Sequence, residues 1–139
     1  MRTLSGCLVL LAVVLAGCGG ESKQETAQNS VCDAKAGIQK QVSELEGLTA
    51  STVTLDGVKS NLQSIGDDLT KLKNAQADLS GDRKDEAEKA WQTFRTQVKS
   101  IRENLLTSLS AADAKQQLTS SFDDLAASFR TAFAPVDCT

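Results

Sequence analysis

Apolar residues recur at alternating spacings of three and four through one long segment of this chain. The segment covers residues 55–79, and its single polar break is Gln76. The apolar positions are Leu55, Val58, Leu62, Ile65, Leu69, Leu72 and Leu79. This spacing places the apolar side chains on one face of an α-helix, as in a coiled-coil seam. Because such a face must be covered by other helices, the segment predicts one helix of a bundle.

Two glycines interrupt the same segment. Gly57 and Gly66 each cost a helix roughly 1 kcal/mol relative to alanine. Either packing recovers that cost, for example through a close approach of a second helix at Gly66, or local flexibility is tolerated there.

Helical periodicity continues through the rest of region 30–139, and the one proline, Pro135, lies where the last helix should end. The first predicted helix begins at a capping box formed by Ser30 and Asp33. Its inward residues are Ala34, Ile38, Val42, Leu45 and Leu48. Residues 49–54 are hydroxyl-rich and β-branched, which favours a loop before the second helix.

Helix start and stop signals define two more helices. Residues 80–81 end the second helix, and Asp82 starts a third that runs to about Thr107. Its apolar stripe comprises Ala87, Trp91, Phe94, Val98, Ile101 and Leu105. Ser110 with Asp113 opens a fourth helix. The inward residues of the fourth helix are Ala111, Ala114, Leu118, Phe122, Leu125, Phe129 and Phe133. The turn between the second and third helices is short, which predicts antiparallel neighbours.

An apolar run near the amino terminus, residues 8–15, follows the lone positive charge of Arg2 and ends in the motif Leu15-Ala16-Gly17-Cys18. The run is about half as long as the 20 residues that a membrane-spanning helix needs. These features resemble the signal of bacterial lipoproteins, in which this motif is the lipobox. An ordinary secretory signal peptide shares the preference for small residues and is the alternative.

The resemblance implies cleavage before Cys18 and attachment of a diacylglycerol to its sulfur, with acyl chains such as palmitate. Two or three chains give stable anchoring, so we expect the protein at the extracytoplasmic face of a cell membrane. Residues 1–17 are then the signal peptide, residues 18–29 the lipidated cysteine with a flexible tether, and residues 30–139 the bundle domain. The tether is rich in Gly, Ser, Gln and Glu and reaches about 38 Å at most.

Four cysteines are present, and two of them are left for pairing. Cys7 leaves with the signal peptide and Cys18 carries the lipid, so Cys32 and Cys138 remain in a compartment that permits disulfides. Two free thiols are one alternative. Metal ligation is another, but the chain has no histidine to complete a zinc site.

The positions of these cysteines support one helix arrangement. In an up-down bundle, the start of helix one and the end of helix four lie at the same end. Cys32 and Cys138 fall at those two places, whereas a three-helix arrangement would not bring them together so naturally. We therefore predict an all-α fold, an antiparallel up-down four-helix bundle closed by a disulfide.

The sequence offers little for catalysis. Histidine and tyrosine are both missing, which removes the commonest general base and the usual metal ligand. The acidic pairs at residues 67–68 and 123–124 fall outside the apolar stripes, so we expect them in solvent. The acidic residues at 82, 85, 86 and 88 lie at a helix start, where they complement the helix dipole. We predict no catalytic residue, no cofactor and no metal site.

Aromatic residues provide the candidate ligand site. Trp91, Phe94, Phe122 and Phe129 lie at core spacing, and in a four-helix bundle such side chains either fill the core or line a pocket for an apolar ligand.

Charge distribution restricts the partners. Cleavage before Cys18 removes one charged residue, Arg2, and leaves 18 acidic and 14 basic residues, a net charge of −4. Basic residues occur singly or in pairs, so we expect no nucleic-acid partner and no polybasic segment for lipid headgroups.

Region 31–138 as a whole resembles small helical lipoproteins and secreted proteins of actinobacteria. The resemblance rests on the cysteine placement and the heptads, and it carries no activity. We predict a non-catalytic interaction or structural module of the cell envelope, anchored in the membrane and possessing an envelope protein partner. The alternatives are a carrier or sensor of a small apolar ligand, and an enzyme that uses carboxylates, lysine or serine alone.

Overall fold

The computed structural model describes residues 22–108 and 112–139, and the side chains of these except at 106–108 and 112–114. The described part forms four helices: α1 (Lys23–Glu46), α2 (Leu55–Gln76), α3 (Gly81–Ser108) and α4 (Ala112–Phe133). Each helix packs against the next, and α1 also packs against α4. The prediction of an all-α four-helix bundle is confirmed. The lipobox and the predicted cap at Ser110 lie outside the described residues.

The core is built from the predicted apolar stripes. Every buried residue of the described part is apolar, and all four helices contribute. The largest fully buried side chains are Phe94, Phe122, Phe133, Ile38, Leu45, Leu62, Ile65, Leu72, Leu125, Val31 and Val58. Three residues predicted to face inward are only partly buried and pack at the margin of the core: Leu48, Leu55 and Trp91. The predicted inward positions Ala111 and Ala114 lie outside the described side chains.

α1 begins earlier than the sequence predicts, at Lys23 instead of Ser30. The Oγ atom of Ser22 accepts a hydrogen bond from the backbone N–H of Glu25 at 3.2 Å and caps the helix. Ser30 lies inside α1, and its hydroxyl donates to a backbone carbonyl one turn earlier. Ala27 is 5% exposed and faces the core. Most of the predicted flexible tether is therefore helix, because tertiary packing stabilises a polar segment that composition assigns to a linker.

The connections lie near the predicted loop at residues 49–54 and the predicted stop at residues 80–81, with a shift at the end of α2. The hydroxyl of Thr54 accepts from the N–H of Gly57 at 3.2 Å and caps α2. α2 ends at Gln76, before the predicted Leu79, although Leu79 remains buried in the connection. Gly81 starts α3 with a φ of 60°, a conformation that glycine adopts without steric cost.

A disulfide joins Cys32 in α1 to Cys138 near the carboxyl terminus, with 5.5 Å between their Cα atoms, and confirms the predicted pair. The segment after α4 lies along α1 on both sides of this bond. Gln28 donates to the carbonyl of Asp137, and Lys35 Nζ donates to the carbonyl of Val136 at 2.8 Å. These contacts hold the carboxyl-terminal residues against α1.

Candidate functional site

A groove of about 760 Å³ runs between α2 and α3, and we call it the α2/α3 groove. Its lining residues are Gly66, Leu69, Thr70, Lys73 and Asn74 from α2, and Trp91, Arg95, Val98, Lys99, Arg102 and Glu103 from α3. Leu69 and Val98 are each 4% exposed and form an apolar floor. Charged and polar side chains form the two rims, so the groove combines an apolar base with charged walls.

Gly66 keeps one part of the α2/α3 groove open. A Cβ atom added at this position would meet no heavy atom within 4 Å. The close helix approach considered for Gly66 is therefore absent, and packing does not recover the helix cost of this glycine. The missing side chain leaves space in the groove instead.

Two positively charged side chains lie near the indole ring of Trp91. Lys73 Nζ lies 5.4 Å from the centre of the indole ring, and Arg95 Cζ lies 5.1 Å from it. Both distances are within the range of cation–π attraction. One lysine from α2 and one arginine from α3 are thus held near the same ring, at the point where the two helices face each other across the groove.

The remaining cations extend along α3. Arg95, Lys99 and Arg102 are spaced four and three residues apart, so they lie on one helix face. Lys99 pairs with Glu103 at 3.6 Å in an exposed contact. Among the described side chains, no carboxylate forms an ion pair with Lys73, Arg95 or Arg102.

This cluster of cations was missed in the sequence, where basic residues are scattered. The available signal was the spacing of Arg95, Lys99 and Arg102, which predicts a cationic helix face. The contribution of Lys73 depends on how α2 and α3 are aligned, and periodicity alone does not determine that alignment.

The predicted ligand-lining aromatics are not grouped around the α2/α3 groove. Trp91 lines it, whereas Phe94, Phe122 and Phe129 are buried in the core. Phe94 makes edge contacts with Phe129 at 5.5 Å and with Phe133 at 5.8 Å between ring centres. These rings pack against one another at normal aromatic distances.

Three of the four paired carboxylates considered for catalysis lie in solvent as predicted, but the prediction was wrong for Asp68, whose side chain is only 14% exposed. Asp67, Asp123 and Asp124 are exposed, while Asp68 accepts a hydrogen bond from Lys71 at 2.7 Å. That hydrogen bond is the main reason why the pKa of Lys71 is raised above its ordinary value. In the described part of the chain, no three His, Cys, Asp or Glu residues are grouped so that they could hold a metal ion.

None of the helices in the described part is long and apolar enough to cross a membrane. Comparisons of the chain with protein-family models, with curated proteins and with solved structures gave no match.

Proposed function

We propose that this protein is a lipid-anchored module at the extracytoplasmic face of a bacterial membrane, where it binds an envelope protein without catalysing a reaction. The lipobox at residues 15–18 supports the anchor, and the disulfide between Cys32 and Cys138 is typical of an oxidising compartment. The α2/α3 groove supports a binding role, because three of its four cations, Lys73, Arg95 and Arg102, form no ion pair with a described carboxylate.

The main support for placing the bundle close to the membrane is the short stretch of chain between Cys18 and α1. Cys18 precedes Ser22, the N-cap residue of α1, by four positions in the sequence. Four residues reach at most about 14 Å. A lipid on Cys18 would therefore hold the start of α1 close to the bilayer surface, with much less freedom than a tether extending to residue 29 would allow.

The same arrangement orients the bundle. Arg83 at the start of α3 lines one surface depression together with Ser22 and Gln28 of the α1 end. The start of α3 is therefore at the end of the bundle that the lipid would hold. At 1.5 Å per residue, Trp91 lies about 15 Å along α3 from Gly81, and Arg102 about 32 Å. The α2/α3 groove thus extends away from the anchored end.

Metabolic labelling with radioactive palmitate tests the anchor in a bacterial host that expresses the full chain. We expect label and membrane localisation in the natural protein and in the control variant Cys7→Ala, which changes a cysteine of the signal segment. Cys18→Ala should lose the label and should either leave the membrane fraction or remain unprocessed. Label that persists in Cys18→Ala, or is missing from the natural protein, would overturn the proposed anchor.

Crosslinking in living cells tests the interaction role. The protein is extracted with its lipid, and the attached molecules are identified by mass spectrometry. We expect the same protein partner in repeated experiments. A bound apolar small molecule in place of a protein would overturn the interaction role and favour a carrier.

A further inference from the structure

The α2/α3 groove holds positive charges that the described part of the protein does not neutralise, although the whole chain has a net charge of −3. Lys73 and Arg95 lie near the same indole ring, yet neither pairs with a described carboxylate. The ring attracts each cation, but the two cations repel each other. An anion placed between them would relieve this repulsion, so the arrangement favours an anionic occupant.

We propose that the α2/α3 groove is the docking site for an acidic helical segment of a partner protein. This inference rests on the proposed function, for which it names the binding surface and the kind of partner. The occupant carries carboxylates along one side and apolar side chains that contact the floor of the groove.

The spacing of the cations fits a helix. Arg95 and Arg102 are seven residues apart on α3, which corresponds to about 10 Å. Carboxylates at positions i, i+4 and i+7 of a bound helix repeat over the same length. The outer two can approach Arg95 and Arg102, and the middle one lies near Lys99, which also pairs with Glu103. Arginine also accepts a carboxylate in a two-pronged hydrogen bond, which fixes the orientation of the partner.

The apolar floor of the groove and the empty space at Gly66 fit the apolar side chains of such a helix. Leu69 and Val98 provide apolar contact, and the empty space at Gly66 admits a side chain of the partner. An amphipathic helix lying in a groove between two helices is an established mode of recognition.

A lipid headgroup fits the α2/α3 groove less well under the proposed anchoring. Lys73 lies three residues before the end of α2, on the lipid-bearing side, but the row of Arg95, Lys99 and Arg102 runs away from that end along α3. Anionic headgroups would meet that end first, whereas a segment of another envelope protein can approach the groove from the side.

Trp91 makes the inference measurable, because it is the one tryptophan in the chain and it lines the groove. The full chain in detergent is titrated with a synthetic helical peptide that carries glutamates at i, i+4 and i+7, and the tryptophan emission is recorded. A peptide with glutamine at these positions is the matched probe. We expect saturable binding of the glutamate peptide, weakened by salt, and at least tenfold weaker binding of the glutamine peptide.

Two kinds of variant locate the binding. Lys73→Gln with Arg95→Gln should weaken peptide binding roughly tenfold. The same charge change at exposed sites outside the groove, Lys40→Gln with Lys59→Gln, should not. Gly66→Gln fills the open space without a charge change and should reduce binding while leaving the melting temperature equal or higher. Ser60→Gln on the same helix is its control.

Several results would overturn this inference. These are equal binding of the two peptides, no saturable binding, or equal losses in the groove and control variants. Vesicles of phosphatidylglycerol that change the Trp91 emission when the peptide does not would assign the groove to lipid instead. The assay does not require the anchor, so its failure and a failure of palmitate labelling are distinguishable.

Discussion

The carboxylate of Asp68 on α2 lies directly against the α1 backbone at Gly37. A Cβ atom added at Gly37 would stand 2.9 Å from Asp68 Cγ and closer still to a carboxylate oxygen. The Asp68 side chain is only 14% exposed, and its ion pair with Lys71 reaches out to solvent. The absence of a side chain at Gly37 thus lets a charged group lie between two packed helices.

Alanine substitutions at Gly37 and Gly66 should have different effects on stability. Each gains up to about 1 kcal/mol in helix propensity. At Gly66 nothing opposes this gain, so we expect the free energy of unfolding to rise by roughly 0.5–1 kcal/mol. At Gly37 the new methyl group displaces the Asp68 carboxylate. We therefore expect the free energy of unfolding of Gly37→Ala to be at least about 1 kcal/mol below that of Gly66→Ala. Urea denaturation measures both.

The Asp68→Ala background is the control for this pair. Without the carboxylate, Gly37→Ala should become stabilising, because only the propensity gain remains. An unchanged effect of Gly37→Ala in that background would show that the contact with Asp68 is not responsible.

The early start of α1 predicts a sharp contrast between two neighbouring positions. Ala27 is buried against the core, whereas Gln24 is exposed. Ala27→Glu forces a carboxylate into an apolar contact and should lower the free energy of unfolding by more than about 1 kcal/mol. Gln24→Glu adds the same charge at an exposed site and should change the free energy of unfolding by less than about 0.5 kcal/mol. Equal effects would indicate that residues 23–29 behave as a flexible tether.

The parts of the fold that depend on periodicity within one segment could be predicted from the sequence, whereas those that depend on contacts between distant segments could not. The helix seams were predictable, because burial of apolar stripes dominates bundle stability and is visible as periodicity. The start of α1 was not, since Gln28 contacts a carbonyl at Asp137, far away in the chain. The α2/α3 groove was not either, because Lys73 and Trp91 meet through the alignment of two helices.

The disulfide should contribute strongly to stability without determining the fold. Cys32 and Cys138 are 106 residues apart in sequence, and the chain-entropy model gives about 4.7 kcal/mol for closing a loop of this length. We expect Cys32→Ser with Cys138→Ser to lower the free energy of unfolding by about 2–5 kcal/mol and to keep the helical circular dichroism. Reduction of the natural protein is the matched comparison. An unchanged unfolding midpoint in both would contradict this expectation.

Replacing an aromatic residue of the core by alanine should lower stability more than replacing Trp91 in the groove. Phe94 is fully buried and contacts two other rings, so Phe94→Ala should cost about 3–5 kcal/mol. Trp91 is only partly buried, and Trp91→Ala should cost less. Thermal unfolding of the two variants tests this order, and a larger loss for Trp91→Ala would contradict it.

Asp137 should titrate below the ordinary carboxyl pKa of 3.8, because Thr139 donates two hydrogen bonds to its charged form. The hydroxyl bond, at 2.6 Å, has the larger effect, and the backbone N–H bond is 3.0 Å long. A pKa lowered in the folded state favours the fold above the unfolded pKa, and this contribution disappears as the pH falls through the folded value. In an NMR titration, Thr139→Ala should raise the pKa of Asp137 towards 3.8, while Thr139→Ser, which keeps the hydroxyl, should not. Identical values in the two variants would exclude the hydroxyl as the main cause.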